Sequence, residues 1–471
     1  MPTQAEAAAG YTDLMLACRD GAADAVAVHL AAGAAVVDGK NAKGSTSLIV
    51  ASAGGRTECV ALLLSANAAV DAINAGGLTA LMAAAAGNHT GAVTALMAAG
   101  ARTEVSTSTG VTSLILAAQK GQTKCVEALL KGGAAANAAT ADGNTSLHFA
   151  CTYAHAAIVS LLATAGADVN ATTNDESTGL MLASAKGDTA TADALLAAHA
   201  DVMRRKHGGI TALMLAARGG HSEVAARLCE AGALAGVSNE EGLTAVLLAA
   251  GNADAATVAA LLKAPDICTA LDAPDEDGST ALMLACGRGD TPTVAQLLAA
   301  GSGVEVANSR GWTALMFACQ GDSIEAVDAL VGAGAYVDAT SAEGVTSLLI
   351  SCAAGNAAAA ATLVKHGVQV ESADKDGRRS LMLAVQAGSK ECVDVLLEAG
   401  ASVDAATADG WRSAVFAEAR QDEVGRELLA TLRAAGAAEL SETESALAAG
   451  FSEEEAERAL KAVAEAGARP P

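Results

Sequence analysis

Ten cysteines and eight histidines are the side chains of this 471-residue chain whose types could do chemistry. Thiolate and imidazole groups bind zinc or serve as nucleophile and base, but only at characteristic spacings. The chain has no C-x-x-C pair, no H-E-x-x-H or G-x-S-x-G motif and no G-x-x-x-x-G-K loop, and its histidines are dispersed. The sequence therefore predicts a protein that is not an enzyme, with no metal site and no cofactor.

Most of the cysteines follow a regular spacing instead. One series lies six residues after the start of a predicted helix, and a second series shares another phase. Equivalent positions in neighbouring helix layers are roughly 8–10 Å apart, which is beyond the ~7 Å limit for bridging two Cα atoms. We expect reduced, buried thiols in a cytoplasmic or nuclear protein that is not secreted. The first series is Cys18, Cys151, Cys286, Cys319 and Cys352, and the second is Cys59, Cys125 and Cys392.

The elements that must position these side chains are copied along the chain. A leucine recurs every 33 residues, with a single step of 36. Helices and strands repeat within a few residues, so a period of 33 indicates a supersecondary unit, here present about thirteen times. The leucines are Leu30, Leu63, Leu96, Leu129, Leu162, Leu195, Leu228, Leu261, Leu297, Leu330, Leu363, Leu396 and Leu429.

Each unit predicts two helices separated by turns. A glycine marks a turn, and two residues later a threonine can accept a hydrogen bond from the free amides of a first helix. A second Thr or Ser caps a second helix, which ends at another glycine. The first caps are Thr46, Thr79, Thr112, Thr145, Thr178, Thr211, Thr244, Thr280, Thr313 and Thr346. The second caps are Thr57, Thr90, Thr123, Thr189, Ser222 and Thr291.

Charge and composition exclude several classes of partner. The formal net charge is −24, so nucleic acid and anionic lipid would be repelled, and any broad electrostatic partner should be basic. Hydrophobic residues make up 52% of the chain, but no apolar run approaches the ~20 residues that span a bilayer. Residues 1–16 lack a basic region followed by an apolar stretch, so no secretory signal is visible.

With this order of elements, the chain resembles the ankyrin-repeat family. Residues 142–150 (DGNTSLHFA), 220–224 (GHSEV) and 166–170 (GADVN) match successive parts of its 33-residue pattern. The resemblance implies an all-α solenoid of stacked antiparallel helix pairs with β-hairpin fingers, which binds a protein in its concave groove. We expect a short tail over residues 1–9, the array over 10–440, and an acidic helical pair that caps it over 441–471.

The chain departs from the family pattern at several positions. Proline is absent after the cap threonine, and only His148 keeps the family's histidine, which Met15, Met82, Met181, Met214, Met283, Met316 and Met382 replace elsewhere. Arg379 and Arg412 stand where a cap threonine is expected, so local fraying should be easiest there. We expect a three-residue insertion near Pro265 to lengthen a finger without breaking the stack.

The resemblance also implies which residues face the groove. The residue between turn glycine and cap threonine lies near the fingers in the family, and in seven repeats it is apolar; these residues are Leu78, Val111, Ile210, Leu243, Trp312, Val345 and Trp411. Polar helix ends such as Tyr153, Arg218 and Arg288 border the same groove. We interpret these residues as partner-binding. The Leu and Val residues are equally compatible with packing against adjacent hairpins.

The residue before the turn position is often acidic, as at Asp142, Asp175, Glu241, Asp277, Glu343, Asp376 and Asp409. Such finger tips are ordinarily solvated, but together they form an electronegative rim that favours a basic partner. The basic cluster of residues 204–207 (RRKH) is too short for a nucleic-acid patch. It is either a solvated finger or a contact for an acidic partner.

The predicted function is a non-catalytic scaffold or adaptor that binds a partner protein. The tail leaves an alternative open, because residues 449–460 resemble the first loop and second helix of a ubiquitin-associated domain. A ubiquitin-linked adaptor would use the array as a client-binding module. The third helix of that family has no counterpart before Pro471, so the tail is also read as a simple cap. The identity of the partner is not encoded in any motif of the sequence.

Overall fold

The computed structural model describes residues 10–32, 37–407, 409–441, 444–445 and 448. The expected tail of residues 1–9 and the ubiquitin-associated resemblance at residues 449–460 lie outside this part. The chain forms two compact units, Met1–Ala233 and Leu234–Pro471, and each is described by itself. Within the described residues there are 27 α-helices, almost all in antiparallel pairs, and the all-α prediction is confirmed.

In the first unit, first and second helices alternate along the chain. The first helices are α1 (Asp13–Asp20), α3 (Ser47–Ala53), α5 (Ala80–Ala86), α7 (Ser113–Gln119), α9 (Ser146–Thr152), α11 (Gly179–Lys186) and α13 (Ala212–Arg218). The second helices are α2 (Ala23–Ala31), α4 (Thr57–Ser65), α6 (Thr90–Ala98), α8 (Thr123–Lys131), α10 (Ala156–Thr164), α12 (Thr189–Ala197) and α14 (Ser222–Glu230). A hairpin of β1 (Arg205–Lys206) and β2 (Ile210–Thr211), joined by a 3₁₀ turn at His207–Gly209, precedes α13.

The second unit repeats this arrangement. Its first helices are α15 (Ala245–Gly251), α18 (Ala281–Gly287), α20 (Ala314–Gln320), α22 (Ser347–Ala354), α24 (Ser380–Ala387) and α26 (Ser413–Ala419). Its second helices are α16 (Ala255–Leu261), α19 (Thr291–Ala299), α21 (Ile324–Gly332), α23 (Ala357–Lys365), α25 (Lys390–Glu398) and α27 (Glu423–Ala434). The single-turn helix α17 (Ile267–Ala270) lies between α16 and α18. In both units, first helices pack on neighbouring first helices and second helices on second helices.

The first helices begin where the sequence predicts. The cap threonine has extended backbone, and its hydroxyl accepts from the amide three residues later, as Thr112 does from Ile115 at 3.3 Å. Thr145 and Thr313 are the exceptions among the ten predicted caps. The Thr145 hydroxyl lies 2.9 Å from Nδ1 of His148. The Met316 amide bonds to the Thr313 carbonyl at 3.1 Å, and the Thr313 hydroxyl is buried without a partner in the described residues. The confirmed caps of this kind are Thr46, Thr79, Thr112, Thr178, Thr211, Thr244, Thr280 and Thr346.

The second caps were predicted one residue too late. Thr90 and Thr189 are the first residues of their helices, and the N-cap is the residue before each. Where that residue is an aspartate, as at Asp188, its carboxylate accepts from the helix amides. Where it is His89, the ring Nε2 lies 3.0 Å from the Ala53 carbonyl of the preceding repeat instead. The residue before the second helix thus either caps that helix or forms a hydrogen bond to the preceding repeat.

Each finger is a short loop. The side chain of its first residue closes the loop by accepting a hydrogen bond from the backbone amide four residues later and, in many fingers, another from the amide two residues later. The oxygen of Asn308 accepts from the amides of Arg310 at 3.1 Å and Trp312 at 2.9 Å. Successive fingers are linked by backbone hydrogen bonds, such as Ala342 N–H to the Arg310 carbonyl at 3.0 Å. The residues that close the loops in this way are Asn41, Asn74, Thr107, Thr140, Thr173, Asn239, Asp275, Asn308, Ser341, Asp374 and Thr407.

A second set of oxygens links each layer to the next. The carboxylate of Asp71 accepts from the amide of Arg102 at 3.0 Å, and the amide oxygen of Asn137 accepts from Asp168 at 2.7 Å. We name this set the interlayer acceptors. In the first unit they are Asp38, Asp71, Glu104, Asn137 and Asn170. In the second unit they are Asp272, Glu305, Asp338, Glu371 and Asp404.

The insertion near Pro265 does not lengthen a finger, contrary to expectation. The finger that follows it is closed in the usual way, by Asp275 accepting from Ser279 at 2.7 Å. The extra residues form α17 instead, and Asp266 accepts from the amides of Ala235 and Gly236, both at 2.8 Å. In this repeat the position of the interlayer acceptor is occupied by Gly236, which has no side chain. The insertion therefore supplies the interlayer hydrogen bond through Asp266 instead.

The core is built from leucine, alanine, methionine and cysteine. The methionines that replace the family's histidine are all buried, so they pack rather than face solvent. His148 is buried too; its Nδ1 accepts from the Thr145 amide at 3.1 Å, and its Nε2 lies 3.0 Å from the Ala171 carbonyl. A carbonyl can only accept, so Nε2 carries the proton in the neutral ring. Burial lowers the pKa of His148 and favours this neutral form.

The two arginines at cap positions make different contacts. Neither side chain caps its helix, as the sequence predicts. Arg379 lies 3.3 Å from Glu371. Arg412 is 13% exposed and pairs with both Asp404, at 2.6 Å, and Glu444, at 2.8 Å. The lost cap at Arg412 is therefore accompanied by an ion-pair cluster that joins the last helix pair to the segment following it.

Candidate functional site

The apolar residues predicted to face the groove divide by burial. Leu78, Val111, Ile210 and Leu243 are half-buried, as is Trp411. Val345 and Trp312 are buried, and Trp312 is only 1% exposed. The prediction that Trp312 and Val345 present exposed surface to a partner is therefore wrong.

The burial of Trp312 follows from the loop that carries it. Asn308 holds the backbone amide of Trp312, and the indole then lies against Phe317 of α20, with ring centroids 5.5 Å apart in an edge-to-face arrangement. Trp411 stacks on Phe416 of α26, also with centroids 5.5 Å apart, but stays half-buried. Both tryptophans thus cover the first helix of their own repeat. A large aromatic side chain at this position therefore packs against its own repeat, whether or not a partner is present.

All seven predicted finger-tip acids are exposed, but three of them already have partners. Asp175 accepts from the hydroxyls of Thr173 and Ser177, which lowers its pKa. Glu343 pairs with Lys375, and Asp376 lies 3.0 Å from Arg378. Within the described residues Asp142, Glu241, Asp277 and Asp409 form no ion pair. Fewer finger-tip acids are therefore without a partner in their own chain than the sequence suggests.

The predicted helix-end residues are exposed as expected. Arg218 and Arg288 are exposed at the ends of α13 and α18. Tyr153, at the end of α9, is 48% exposed. Its ring stacks on His155 with centroids 6.4 Å apart, and Lys186 Nζ from the next layer lies 5.9 Å from the ring centroid. This spacing lies within the range of a cation–π interaction.

Sequence reasoning missed a row of apolar residues four positions after the cap threonine. Their neighbours on the same helices are fully buried, whereas these side chains are half-exposed beside the helix ends. The signal was present, because large Leu and Phe residues recur at this phase in helices otherwise rich in alanine. The half-exposed members that we use here are Leu116, Phe149 and Leu182 in the first unit and Leu248, Leu284 and Phe317 in the second.

All ten cysteines are free, and nine are buried. Burial raises the pKa of Cys18 and of Cys319 to about 12, so both stay protonated at neutral pH. Among the residues that the structure describes, no group of three or more His, Cys, Asp or Glu side chains is placed to hold a metal ion. Nor is any helix of that part both long and apolar enough to cross a bilayer.

The chain is similar to known ankyrin-repeat sequences and structures. A family model described as ankyrin repeats (3 copies) matches residues 14–107, 89–173, 180–270, 258–341 and 326–407. Among solved structures, the crystal structure of the human ASB11 ankyrin repeat domain is similar, with 26% sequence identity and a TM-score of 0.41. That match covers 44% of this chain and 92% of the human domain. No curated protein matches the chain.

Proposed function

Because the chain belongs to the ankyrin-repeat family, we propose that it is a non-catalytic scaffold or adaptor that binds a partner protein. Ankyrin repeats are generally protein–protein interaction modules. The partner would contact the ends of the first helices and the neighbouring fingers.

One observation carries this proposal, the row of half-exposed Leu and Phe residues on the first helices. Large apolar side chains that recur on one face and remain partly exposed are typical of interaction surfaces. Exposed polar helix ends, such as Tyr153 and Arg288, flank the row. Apolar contact surrounded by polar groups is the usual composition of a protein interface.

The charge of the chain supports a basic partner for the finger side of the second unit. Glu241, Asp277 and Asp409 are exposed at finger tips there and are not paired within the described residues. The net charge of −24 adds a long-range attraction for cationic surfaces. Such an attraction mainly raises association rates and orients the partner, while apolar contacts supply affinity.

We also propose a cytoplasmic or nuclear location. Ten free cysteines, nine of them buried, suit a reducing compartment, because secreted proteins usually pair their thiols.

Matched leucine substitutions test the proposed surface. The test variants are Leu116→Ala with Leu182→Ala, and Leu248→Ala with Leu284→Ala, on first helices. The control is Leu161→Ala with Leu196→Ala, which are half-buried leucines on second helices. Affinity capture with intact chains, quantified by mass spectrometry, should recover proteins bound by wild type and control and lost from a test variant. Identical capture by test and control variants would reject the surface.

A further inference from the structure

Three consecutive first helices of the first unit end in a chemically distinct surface. Lys120 follows α7, Tyr153 follows α9 and Lys186 ends α11, each eight residues after its cap threonine, and all three are exposed. We call these residues, with the half-exposed Leu116, Phe149 and Leu182 one turn earlier on the same helices, the cationic stripe. Residues four apart on a helix lie side by side, so each layer presents one apolar and one cationic or aromatic side chain.

Two cations only two layers apart occur once at this position of the repeat. Elsewhere in the first unit the same position is occupied by Asp20, Gly54, Gly87 and Gly219. In the second unit it is occupied by Asn252, Gly321, Ala354 and Ala387, and by two arginines four layers apart, Arg288 and Arg420. Arg420 is paired with Asp422. Two lysines two layers apart therefore stand out against a chain with a net charge of −24. Within the described residues neither Lys120 nor Lys186 forms an ion pair.

The aromatic ring between the lysines is held in place. Tyr153 stacks on His155, and Lys186 lies over the Tyr153 ring at 5.9 Å. The ring therefore offers an oriented apolar surface next to an ammonium group that still faces solvent. A carboxylate that approached Lys186 would find apolar area beside it at Tyr153 and Leu182.

Acidic side chains lie in the same repeats as the cationic stripe. Asp142 and Asp175 lie at the finger tips of the Tyr153 and Lys186 repeats. The Asp175 carboxylate accepts from the hydroxyls of Thr173 and Ser177 within its own loop, which lowers its pKa, so it keeps its negative charge. Asp142 and Glu176 are also exposed in these fingers. Binding of an acidic partner must therefore come from direct contacts at Lys120 and Lys186.

We propose that the cationic stripe binds an acidic amphipathic helix of a partner protein. Carboxylates of that helix pair with Lys120 and Lys186, while its apolar side chains contact Leu116, Phe149, Leu182 and the Tyr153 ring. Helix layers are roughly 8–10 Å apart, and seven residues of an α-helix rise about 10.5 Å. Acidic residues two heptads apart, a rise of about 21 Å, therefore match Lys120 and Lys186, which lie two layers apart on either side of the Tyr153 layer. This inference rests on the proposed binding function and names a partner class opposite in charge to that of the finger rim.

The test uses a fluorescein-labelled peptide about 21 residues long, three heptads of Glu, Leu and Ala with Glu and Leu on one face. Its twin carries Lys in place of every Glu. Fluorescence anisotropy with the full chain should show binding of the Glu peptide that weakens as salt rises. Lys120→Glu with Lys186→Glu should weaken it by at least about tenfold, and Tyr153→Ala should weaken it by a smaller factor.

The control variant has the same change in net charge at two exposed lysines of α8, Lys124→Glu with Lys131→Glu. It should bind the Glu peptide within about twofold of wild type, since a distant charge is screened. The inference is overturned if the intact chain does not bind the Glu peptide, or if the control loses as much affinity as the stripe variant. Capture of other partners through Leu248 and Leu284 would still stand in that case, so the two proposals can fail separately.

Discussion

The guanidinium of Arg412 donates two hydrogen bonds to the carboxylate of Glu444, from Nε to Oε1 at 2.8 Å and from Nη2 to Oε2 at 2.9 Å. Glu444 also accepts from the amide and hydroxyl of Ser441, both at 2.8 Å. These bonds, led by the one from Arg412, lower the pKa of Glu444 to about 2. The residue that fails to cap α26 thus fixes the segment that follows α27.

We predict that Arg412→Gln releases this segment. Hydrogen exchange at the amides of Ala438 and Ser445 should become faster, because the ion pair that orients their surroundings is lost. Arg379→Gln is the matched control one repeat earlier and should leave both amides unchanged. Equal acceleration in the two variants would contradict a specific contact. In the wild type, the contribution of Glu444 is present above pH 4.5 and is lost as the pH falls towards 2.

The buried His148 predicts a dependence of stability on pH. Its pKa lies below the ordinary value of 6.5, so between these two values the unfolded chain binds more protons than the folded chain. Stability therefore falls as the pH drops below about 6.5. His148→Met, which copies the residue of seven other repeats, should reduce the shift of the urea midpoint between about pH 7.5 and pH 5. An unchanged shift would mean that His148 is not its source.

Trp312→Ala should destabilise the second unit rather than weaken partner binding alone. The indole is buried against Phe317, and removal of a buried Trp costs about 3–5 kcal/mol. Trp411→Ala is the comparison, since the same stacking on Phe416 is half-exposed, and its cost should be smaller. Chemical denaturation followed by circular dichroism measures both. Equal unfolding midpoints for wild type and Trp312→Ala would argue against burial of the indole.

Ser47→Pro should stabilise the first unit. Ser47 opens α3, where an amide has no helical acceptor, and Thr46 before it has the extended backbone that proline requires. The Ser47 hydroxyl is buried without a partner in the described residues, so its loss costs nothing. We expect a gain of about 0.5–1 kcal/mol from the stiffer unfolded chain. Ser47→Ala removes the hydroxyl without adding the proline ring, so the two effects can be measured separately. A loss of stability in Ser47→Pro would show that the ring strains the backbone.

Much of the fold follows from local chemistry that the sequence shows directly. Threonines two residues after a turn glycine cap first helices, because a hydroxyl at that point can reach the third amide. The second caps were predicted one residue too late, and this error has a different cause. His89 is not a capping residue by type, so only the neighbouring layer reveals that its ring reaches the Ala53 carbonyl. Long-range partners of this kind leave no local pattern.

The candidate site was less predictable for the same reason. Leu243 and Trp312 share one repeat position, yet Leu243 is half-exposed and Trp312 is buried. An aromatic ring on the first helix does not by itself decide the outcome, because Trp411 stacks on Phe416 and stays half-buried, whereas Val345 is buried although its first helix has no aromatic residue. Conversely, Leu116 was not among the residues predicted to bind a partner, and the structure shows that its side chain is half-exposed beside the buried Leu114 and Ile115.

The interlayer acceptors show that acidity and architecture are separable in this chain. Asp71 and Asn137 do the same work at equivalent positions, since a backbone amide needs an oxygen to bond to and does not require a negative charge. Related sequences could therefore exchange Asp for Asn along this line and drift far towards neutrality while every layer stays joined. The net charge of such proteins can therefore change to suit different partners. A large negative charge does not indicate how stable the stack of helix layers is.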